Sequence, residues 1–420
     1  HVESAFAAAI ERGRVKKIVR RGDFDRAEGT VFEADYSVGL APTAAVEPLT
    51  ATARISGDGL EIWAATQAPG FARAAAARAA GMSPGQVTLY PTLAGGGYGR
   101  RLENAAIEQA AILAGKTGRP VQLSWSRIEE TLHDSFRPPA RASMGARVGA
   151  GGSIAGWHAR IAAPPTLAEV SARMRGHELD GARSEDAAVA GAEPPYAIAN
   201  LVIEHLPVAI GVPTGIWRSA AHSYTAFFTE CFIDELARQA KVEPLSFRMQ
   251  MLGDNPRLAR ALTTAAQLGG WDGGAPGSAK GIAAHSAFGS HAALVVEVAV
   301  DKAQRPRVSR AVCAVDCGRI INPDIVKQQV EGAIIFGIAA ATGNRISYRQ
   351  GLPTAIGYKD LALPLLAESP EVIVELIPSD EDPGGVTELG VPPVAPAIAN
   401  AWFALTGLRR RSLPLVDGGA

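Results

Sequence analysis

Short β-type runs and helical runs alternate along the first third of the chain, and glycine or proline separates most of them. The β-type runs contain β-branched and aromatic residues, whereas the helical runs are rich in alanine. In chain order, the predicted strands, helices and glycine-rich loop occupy residues 51–55, 60–65, 71–80, 86–90, 95–99, 104–117 and 120–125. This alternation predicts a fold of the α+β class, in which strands and helices are mixed in layers.

A cluster of glycine, aspartate, asparagine and proline at residues 253–257 predicts a boundary between two domains. The elements predicted beyond it are helices at 257–268 and 322–341, strands at 292–300, 308–317 and 372–378, and a last helix ending at 406. We therefore expect residues 30–253 to form a first domain and residues 254–420 to form a second one. Residues 1–29 are expected to be the tail of a preceding domain or a linker.

Two stretches of the first domain have patterns of their own. Residues 224–240 predict an amphipathic helix with acidic residues in its middle. Residues 164–198 are polar and irregular, and they predict a long surface loop or insertion.

Composition and charge exclude several classes of function. The chain has 41 Lys and Arg against 42 Asp and Glu, whereas a nucleic-acid-binding protein normally carries a basic excess. No apolar run reaches the roughly 18–20 residues that span a bilayer. Cys231, Cys313 and Cys317 have no CxxC spacing, and we expect them to be buried thiols. The eight histidines include no HxxxH pair, so the sequence predicts no protein metal site.

Residues 94–101 read Ala-Gly-Gly-Gly-Tyr-Gly-Arg-Arg and lie between a predicted strand and a predicted helix. Successive glycines let a backbone approach a ligand closely and expose its N–H groups, and a helix N-terminus favours an anion. Arg100 and Arg101 could add recognition of phosphate or carboxylate. The loop matches neither a P-loop nor a dinucleotide fingerprint. From these residues alone, a tight structural turn is an equal alternative.

Glu388 lies in a loop, residues 385–393, whose other members carry no charge. A carboxylate in such a place can act as a general base when its proton donor is within hydrogen-bond reach, and burial would raise its pKa. The alternative is an ordinary exposed loop glutamate. We interpret the nearby Glu381 and Asp382 in that way.

Three more polar side chains are candidates for a site. Gln67 precedes the turn at Pro69, Arg218 follows a glycine-containing segment, and Gln329 lies in the predicted long helix. Each has a structural alternative, namely a turn-stabilising glutamine, an arginine in an ion pair and a helix packed closely at Gly332.

These segments, in this order, resemble the large subunit of the xanthine dehydrogenase and aldehyde oxidase superfamily, above all isoquinoline 1-oxidoreductase beta subunits and related bacterial aldehyde dehydrogenases. The matching segments are residues 47–48, 66–67, 95–101, 137–138, 215–219, 232–237, 315–323, 329–332 and 388–401. The resemblance covers nearly all of residues 30–415, and the first glycine-rich loop together with the ending after Glu388 is its most specific part.

The resemblance implies two elongated mixed α/β molybdopterin-binding domains with the cofactor between them. The implied cofactor is molybdenum held by a pterin dithiolene, as molybdopterin cytosine dinucleotide, with no protein ligand to the metal. The site residues that it implies are Glu388 and Gln67 for catalysis, and Gly96, Gly97, Tyr98, Gly99, Arg218 and Gln329 for cofactor binding.

The implied function is that of the catalytic subunit of a molybdenum hydroxylase, or of its C-terminal part. Such an enzyme oxidises a small organic substrate, an aldehyde or an N-heterocycle, with water as the oxygen source. Electrons pass to [2Fe–2S] clusters on a partner subunit, and a cytochrome c subunit with haem is a further implied partner. The rival interpretations are a non-catalytic or degenerate subunit and a nucleotide-binding enzyme that uses the glycine-rich loop.

Three departures from the family pattern bear on this expectation. Leu389 stands where the family usually has proline, Tyr98 stands where phenylalanine is usual, and a Gly-Gln-Gly cofactor segment is missing. In the isoquinoline branch that segment lies toward the N-terminus of a longer subunit. We therefore expect a second polypeptide to supply it, and the start at His1 fits a processed product, a fragment or a split subunit. Localisation is expected to be periplasmic or at a membrane through a partner, with the cytoplasm as the alternative.

Overall fold

The described strands form a six-stranded sheet, two four-stranded sheets and a two-stranded hairpin in the computed structural model, which describes residues 2–177, 184–343 and 345–415. The strands are β1 (Lys16–Arg21), β2 (Thr30–Val38), β3 (Thr50–Ser56), β4 (Gly59–Ala64), β5 (Val87–Pro91), β6 (Val121–Ser124), β7 (Ala140–Val148), β8 (Ile154–Ala163), β9 (Asn200–Pro207), β10 (Ser278–Ala287), β11 (Ser290–Val300), β12 (Pro306–Asp316), β13 (Tyr348–Arg349), β14 (Leu352–Pro353), β15 (Glu371–Leu376) and β16 (Ser412–Leu413). The helices are α1 (Val2–Arg12), α2 (Pro69–Ala80), α3 (Ala105–Thr117), α4 (Arg127–Leu132), α5 (Thr166–Met174), α6 (His222–Gln239), α7 (Pro244–Met249), α8 (Pro256–Leu268), α9 (Pro323–Thr342), α10 (Tyr358–Leu361) and α11 (Val394–Thr406).

The three large sheets mix parallel and antiparallel pairs. The six-stranded sheet has the order β1-β9-β8-β7-β2-β16, with parallel pairs at β8–β9 and β16–β2. The second sheet has the order β10-β11-β12-β15 and is antiparallel except at β12–β15. The third sheet has the order β5-β4-β3-β6 and is antiparallel except at β4–β5. Together with the helices, these sheets confirm the predicted mixed α+β class.

The third sheet is covered by the two alanine-rich helices, α2 and α3. Strand β4 alternates between buried and half-buried residues, as a strand does when one face meets a core. The alanines that face this core, such as Ala72 and Ala110, have no exposed surface. Because an alanine side chain is a single methyl group, both helices can lie close to the strands and to each other.

Helix α6 was predicted to be amphipathic, and this prediction is wrong. Residues 223–237 are all buried, because α6 lies between the six-stranded sheet on one side and α11 and β10 on the other. Its acidic side chains are therefore buried with partners: Glu230 pairs with Arg248, Asp234 with Arg409, and Glu235 with Arg411.

Strand β10 was not predicted, although the neighbouring hairpin of β11 and β12 was. Its sequence, Ser-Ala-Lys-Gly-Ile-Ala-Ala-His-Ser-Ala, has few β-branched residues and so lacks a strand signature. Ten consecutive residue pairs join it to β11. Tertiary pairing therefore decides its conformation.

The chain ends contribute to the same sheet. Residues 1–29, expected to be a tail or linker, include α1 and β1, and β1 pairs with β9 at one edge of the six-stranded sheet. Strand β16 pairs with β2 at the other edge. The predicted divisions at residues 29–30 and 253–254 stay predictions; the second falls between α7 and α8.

The predicted surface loop at 164–198 has buried parts. Residues 178–183 of it lie outside the described residues. The rest contains α5, with Val170 and Ala172 buried, and Tyr196, whose hydroxyl donates a hydrogen bond to Glu230 at 2.6 Å. The stretch therefore covers part of the α6 core, which its polar composition did not indicate.

All three cysteines are buried and free, as the sequence analysis predicted. None of the described helices combines the length and the hydropathy that a membrane span requires.

We expect Arg248→Met to destabilise the protein by about 3–5 kcal/mol, because it leaves the Glu230 carboxylate buried without its cation. Arg248 Nε donates to Glu230 Oε2 at 3.0 Å, and neither side chain has exposed surface. Denaturant unfolding measures the effect. Arg310→Met is the control, since Arg310 pairs with the largely exposed Glu371, and it should cost less than about 1 kcal/mol. Equal losses in the two variants would contradict the assigned role of Arg248.

Candidate active site

Arg218 joins segments of the chain that are more than 100 residues apart. Its Nε donates to the Thr387 carbonyl at 2.7 Å, and its Nη2 donates to the Gln329 carbonyl at 3.1 Å and to Gln329 Oε1 at 3.2 Å. Only 8% of Arg218 is exposed. The structure thus brings two predicted site residues, Arg218 and Gln329, into contact and holds the loop of Glu388 beside them.

Glu388 is half-buried, unlike the exposed Glu381 and Asp382. Burial raises the pKa of Glu388 above its ordinary value, while a hydrogen bond from the Ser219 backbone and the charge of Arg218 act in the opposite direction. The Ser219 hydroxyl also donates to the Glu388 carbonyl at 2.5 Å. The backbone of Glu388 is therefore held in a defined place, and its carboxylate is partly shielded from water.

The turn between Arg218 and α6 has a strained backbone. Ser219 has a φ of 76° and Ala220 has a φ of 44°, values that side-chain-bearing residues adopt at a cost in free energy. This turn lets consecutive residues, Arg218 and Ser219, both contact the loop of Glu388. The sequence analysis did not select Ser219, because nothing in its local sequence marks a left-handed conformation.

The glycine-rich loop packs directly on Gln67. The Gly99 N–H donates to Gln67 Oε1 at 3.2 Å, and a Cβ on Gly97 would lie only 2.8 Å from the same oxygen. The backbone N–H of Gln67 donates to the Arg101 carbonyl at 2.9 Å. The loop and Gln67 therefore lie together, and a side chain at position 97 would have to displace the Gln67 amide.

An aromatic stack joins this loop to Arg218. The Tyr98 ring stacks on Phe336 with centroids 4.7 Å apart, and Phe336 stacks on Trp217 at 4.5 Å. The Arg218 guanidinium lies 5.8 Å from the centre of the Tyr98 ring. The sequence analysis missed Phe336, although it follows Gln329 by seven residues and so shares its helix face.

The loop presents hydrogen-bond donors that a ligand could use. Within the described part of the chain, the backbone N–H groups of Gly96, Gly97 and Tyr98 donate no hydrogen bond. Arg218 Nη1 likewise has no partner among the described residues. It lies near Gly332, since a Cβ added to that glycine would be 4.0 Å from it. Successive unpaired N–H groups near a cation suit the oxygen atoms of a phosphate or a pterin.

The two arginines after the loop do not have the ligand-binding role considered for them. Arg100 Nε lies 3.4 Å from Glu130 and 3.5 Å from Asp134, and Arg101 pairs with Glu47 at 2.8 Å. Both arginines are almost fully buried. Their charges are thus balanced by carboxylates of this chain. No group of three or more His, Cys, Asp or Glu among the described residues could hold a metal ion.

The family of the chain follows from comparison with known sequences. Residues 3–252 match a molybdopterin cofactor-binding domain family, and residues 229–370 match a second family of the same description. The chain therefore belongs to the molybdopterin cofactor-binding domain family, as its resemblance implied.

Two characterised relatives align with nearly the whole chain. It is 32% identical over 403 residues to isoquinoline 1-oxidoreductase subunit beta of Brevundimonas diminuta, covering 93% of this chain and 51% of that protein. It is 28% identical over 413 residues to the membrane-bound aldehyde dehydrogenase (pyrroloquinoline-quinone) of Gluconacetobacter polyoxogenes, covering 92% of this chain and 53% of that protein. The chain thus spans about half the length of these relatives.

A solved structure has the same fold. Quinoline 2-oxidoreductase from Pseudomonas putida 86 is similar with a TM-score of 0.81 at 14% identity, over 96% of this chain and 77% of that chain. This likeness and the two family matches confirm the predicted architecture of two mixed molybdopterin-binding domains.

Gly97→Val should lower cofactor content while the fold is retained. A branched side chain at position 97 would overlap Gln67 Oε1, so the loop and Gln67 would have to move apart. Molybdenum analysis of the purified protein measures the loss, and circular dichroism tests the fold. Gly115→Val is the control, since a Cβ on Gly115 meets nothing within 4 Å. Normal molybdenum in the Gly97 variant would argue against cofactor binding at this loop.

Proposed function

We propose that this chain is the catalytic part of a molybdenum hydroxylase that oxidises an aldehyde or an N-heterocycle with oxygen taken from water. The observation that carries the proposal is the position of Glu388, a half-buried carboxylate held by Ser219 and by the segment of Arg218 in a molybdopterin-binding fold. The names of the relatives, isoquinoline 1-oxidoreductase and aldehyde dehydrogenase, support these two substrate classes.

The cofactor proposed here is molybdenum with molybdopterin cytosine dinucleotide, which when bound would accept two electrons from the substrate, transferred with one proton as a hydride equivalent. The N–H groups of Gly96, Gly97 and Tyr98 would bind its oxygen atoms, and Arg218 Nη1 would add a positive charge. Gln67, fixed by the loop, would donate a hydrogen bond through its amide, because its Oε1 already accepts one from Gly99. Gln329 orients Arg218 and would line the same side of the site.

Glu388 acts as the general base in this proposal. Its carboxylate accepts the proton of the water-derived nucleophile as the C–O bond to the substrate forms. Partial burial raises the pKa of Glu388, while the charge of Arg218 acts in the opposite direction and favours the ionised carboxylate. The Ser219 hydroxyl donates to the Glu388 carbonyl and so fixes the backbone that carries this carboxylate.

Electrons would leave through partner subunits. We propose a partner with [2Fe–2S] clusters, and a cytochrome c subunit with haem as a further acceptor. The membrane-bound relative supports a periplasmic or membrane-associated complex. The second polypeptide with a Gly-Gln-Gly segment stays a prediction. A non-catalytic subunit is not favoured, since Glu388 and the residues that hold it are all in place.

Glu388→Gln should lower turnover by about 10²–10⁴-fold, because an amide keeps the size of the side chain but cannot accept the proton. Molybdenum content and melting temperature should stay at the wild-type level. Steady-state kinetics of the metal-replete enzyme with aldehyde and N-heterocycle substrates measure the effect. Glu381→Gln is the matched control, because Glu381 is an exposed acid of the same loop region. Wild-type turnover in the Glu388 variant would refute the mechanism.

The pH dependence of kcat/KM should show an acid limb that belongs to Glu388. The ionised carboxylate is the active form, so activity is present above its pKa and is lost as the pH falls through it. Since burial raises this pKa, the midpoint should lie above about 4.3, the value of an unperturbed glutamate. A pH–rate profile of the wild type and of Glu388→Gln tests this. A limb that persists unchanged in the variant would assign the titration to another group.

A further inference from the structure

Glu47 forms hydrogen bonds with both the carbonyl and the N–H of Gly95, the first glycine of the glycine-rich loop. Its backbone N–H donates to the Gly95 carbonyl at 3.0 Å, and its Oε2 accepts from the Gly95 N–H at 2.7 Å. Its side chain remains 39% exposed. The loop is therefore anchored at Gly95 by a residue that lies almost 50 positions earlier.

Arg101 anchors the next peptide and fixes Glu47 as well. Its Nε donates to the Gly96 carbonyl at 2.8 Å, and its Nη2 donates to Glu47 Oε2 at 2.8 Å and to the Glu47 carbonyl at 3.1 Å. Only 2% of Arg101 is exposed. Its own carbonyl accepts the Gln67 N–H at 2.9 Å. Glu47 and Arg101, here called the Glu47–Arg101 clamp, thus hold the loop against Gln67.

The clamp sets the direction of two N–H groups that it does not touch. In a planar trans peptide, the C=O of one residue and the N–H of the next point in opposite directions. The backbone N–H of Glu47 bonds to the Gly95 carbonyl, and the Glu47 carboxylate keeps the two segments together through the Gly95 N–H and Arg101, so the Gly96 N–H points away from the clamp. Because Arg101 holds the Gly96 carbonyl, the Gly97 N–H must point away as well. Both of these N–H groups lack a partner in the described part of the chain.

We propose that Glu47 and Arg101 are positioning residues that aim the Gly96 and Gly97 N–H groups at the cofactor. This inference rests on the proposed cofactor site, and the two residues act through the bonds that they make to Gly95 and Gly96. Glycine has the widest choice of backbone conformations, so an unclamped loop would lose much of its binding free energy to ordering. The clamp removes that cost before the cofactor arrives.

The test compares Glu47→Gln, Arg101→Lys and the double variant in the full protein as it is isolated. Glutamine removes the charge that strengthens the bond to Arg101, and lysine keeps a charge but cannot reach two acceptors with a planar fork. Molybdenum per chain reports cofactor binding. Hydrogen–deuterium exchange at Gly99 and Arg100, whose N–H groups bond to Gln67 and Gly97, reports the order of the loop.

Each single variant should lose about tenfold in cofactor affinity or more, because a charge-assisted hydrogen bond is weakened. Hydrogen–deuterium exchange of the loop N–H groups should be faster by a similar factor. The double variant should lose no more than the worse single variant, because the two residues act through one another. Glu61→Gln is the control. Glu61 on β4 accepts a hydrogen bond from Arg54 on β3 at 2.8 Å, and the substitution removes the charge from this pair, which forms no hydrogen bond with the glycine-rich loop. It should behave as wild type.

Full molybdenum content and unchanged loop exchange in Glu47→Gln would overturn the proposal. Should Arg101→Lys fail to fold, Glu47→Gln decides alone, since Glu47 is partly exposed. The exchange measurement is repeated on cofactor-free protein. If the wild type itself binds no molybdenum, the proposed function fails, and faster exchange in the cofactor-free variants still shows that the clamp orders the loop.

Discussion

The burial of helix α6 on all sides is the constraint on which the rest of the structure depends. A helix that carries acids can be buried only if each charge has a partner, because an unpaired charge in a core is strongly destabilising. Glu230 meets this condition through Arg248 at 3.0 Å, and Tyr196 and the Ala284 N–H donate to the same carboxylate. These partners come from α7, from the segment before β9 and from β10. The helix therefore joins the six-stranded sheet to the sheet of the predicted second domain.

The site lies at the N-terminal end of this helix. Because α6 is fixed by its core, the turn of Ser219 and Ala220 before it is fixed too, and that turn can hold left-handed conformations that would not persist in a free segment. Arg218 then reaches the Thr387 carbonyl, and Ser219 bonds to Glu388. The proton affinity of the proposed base is thus set by burial, by a backbone donor and by one guanidinium, which all depend on the packing of α6.

The other half of the site depends on the small sheet with its alanine-rich helices. This unit carries Gln67 and the glycine-rich loop, and Arg101 connects the two through its carbonyl and its side chain. The stack of Tyr98, Phe336 and Trp217 then joins the loop to the Arg218 segment. Through this stack, the unpaired N–H groups of the loop are connected to the segment that holds the proposed base, although the two lie far apart in the chain.

The sequence by itself determined the strands and helices with strong periodicity, the α+β class and the alanine-rich helices, and it selected the polar residues proposed for the site, because those signals are local. Only the tertiary structure decided that α6 is buried, that β10 is a strand, and that Ser219, Phe336 and the Glu47–Arg101 clamp lie beside the candidate site residues. The physical reason is that these properties arise from contacts between residues far apart in the chain. Periodicity shows which face of a segment is apolar, but it does not show which segment will cover the other face or which distant charge will neutralise a buried acid.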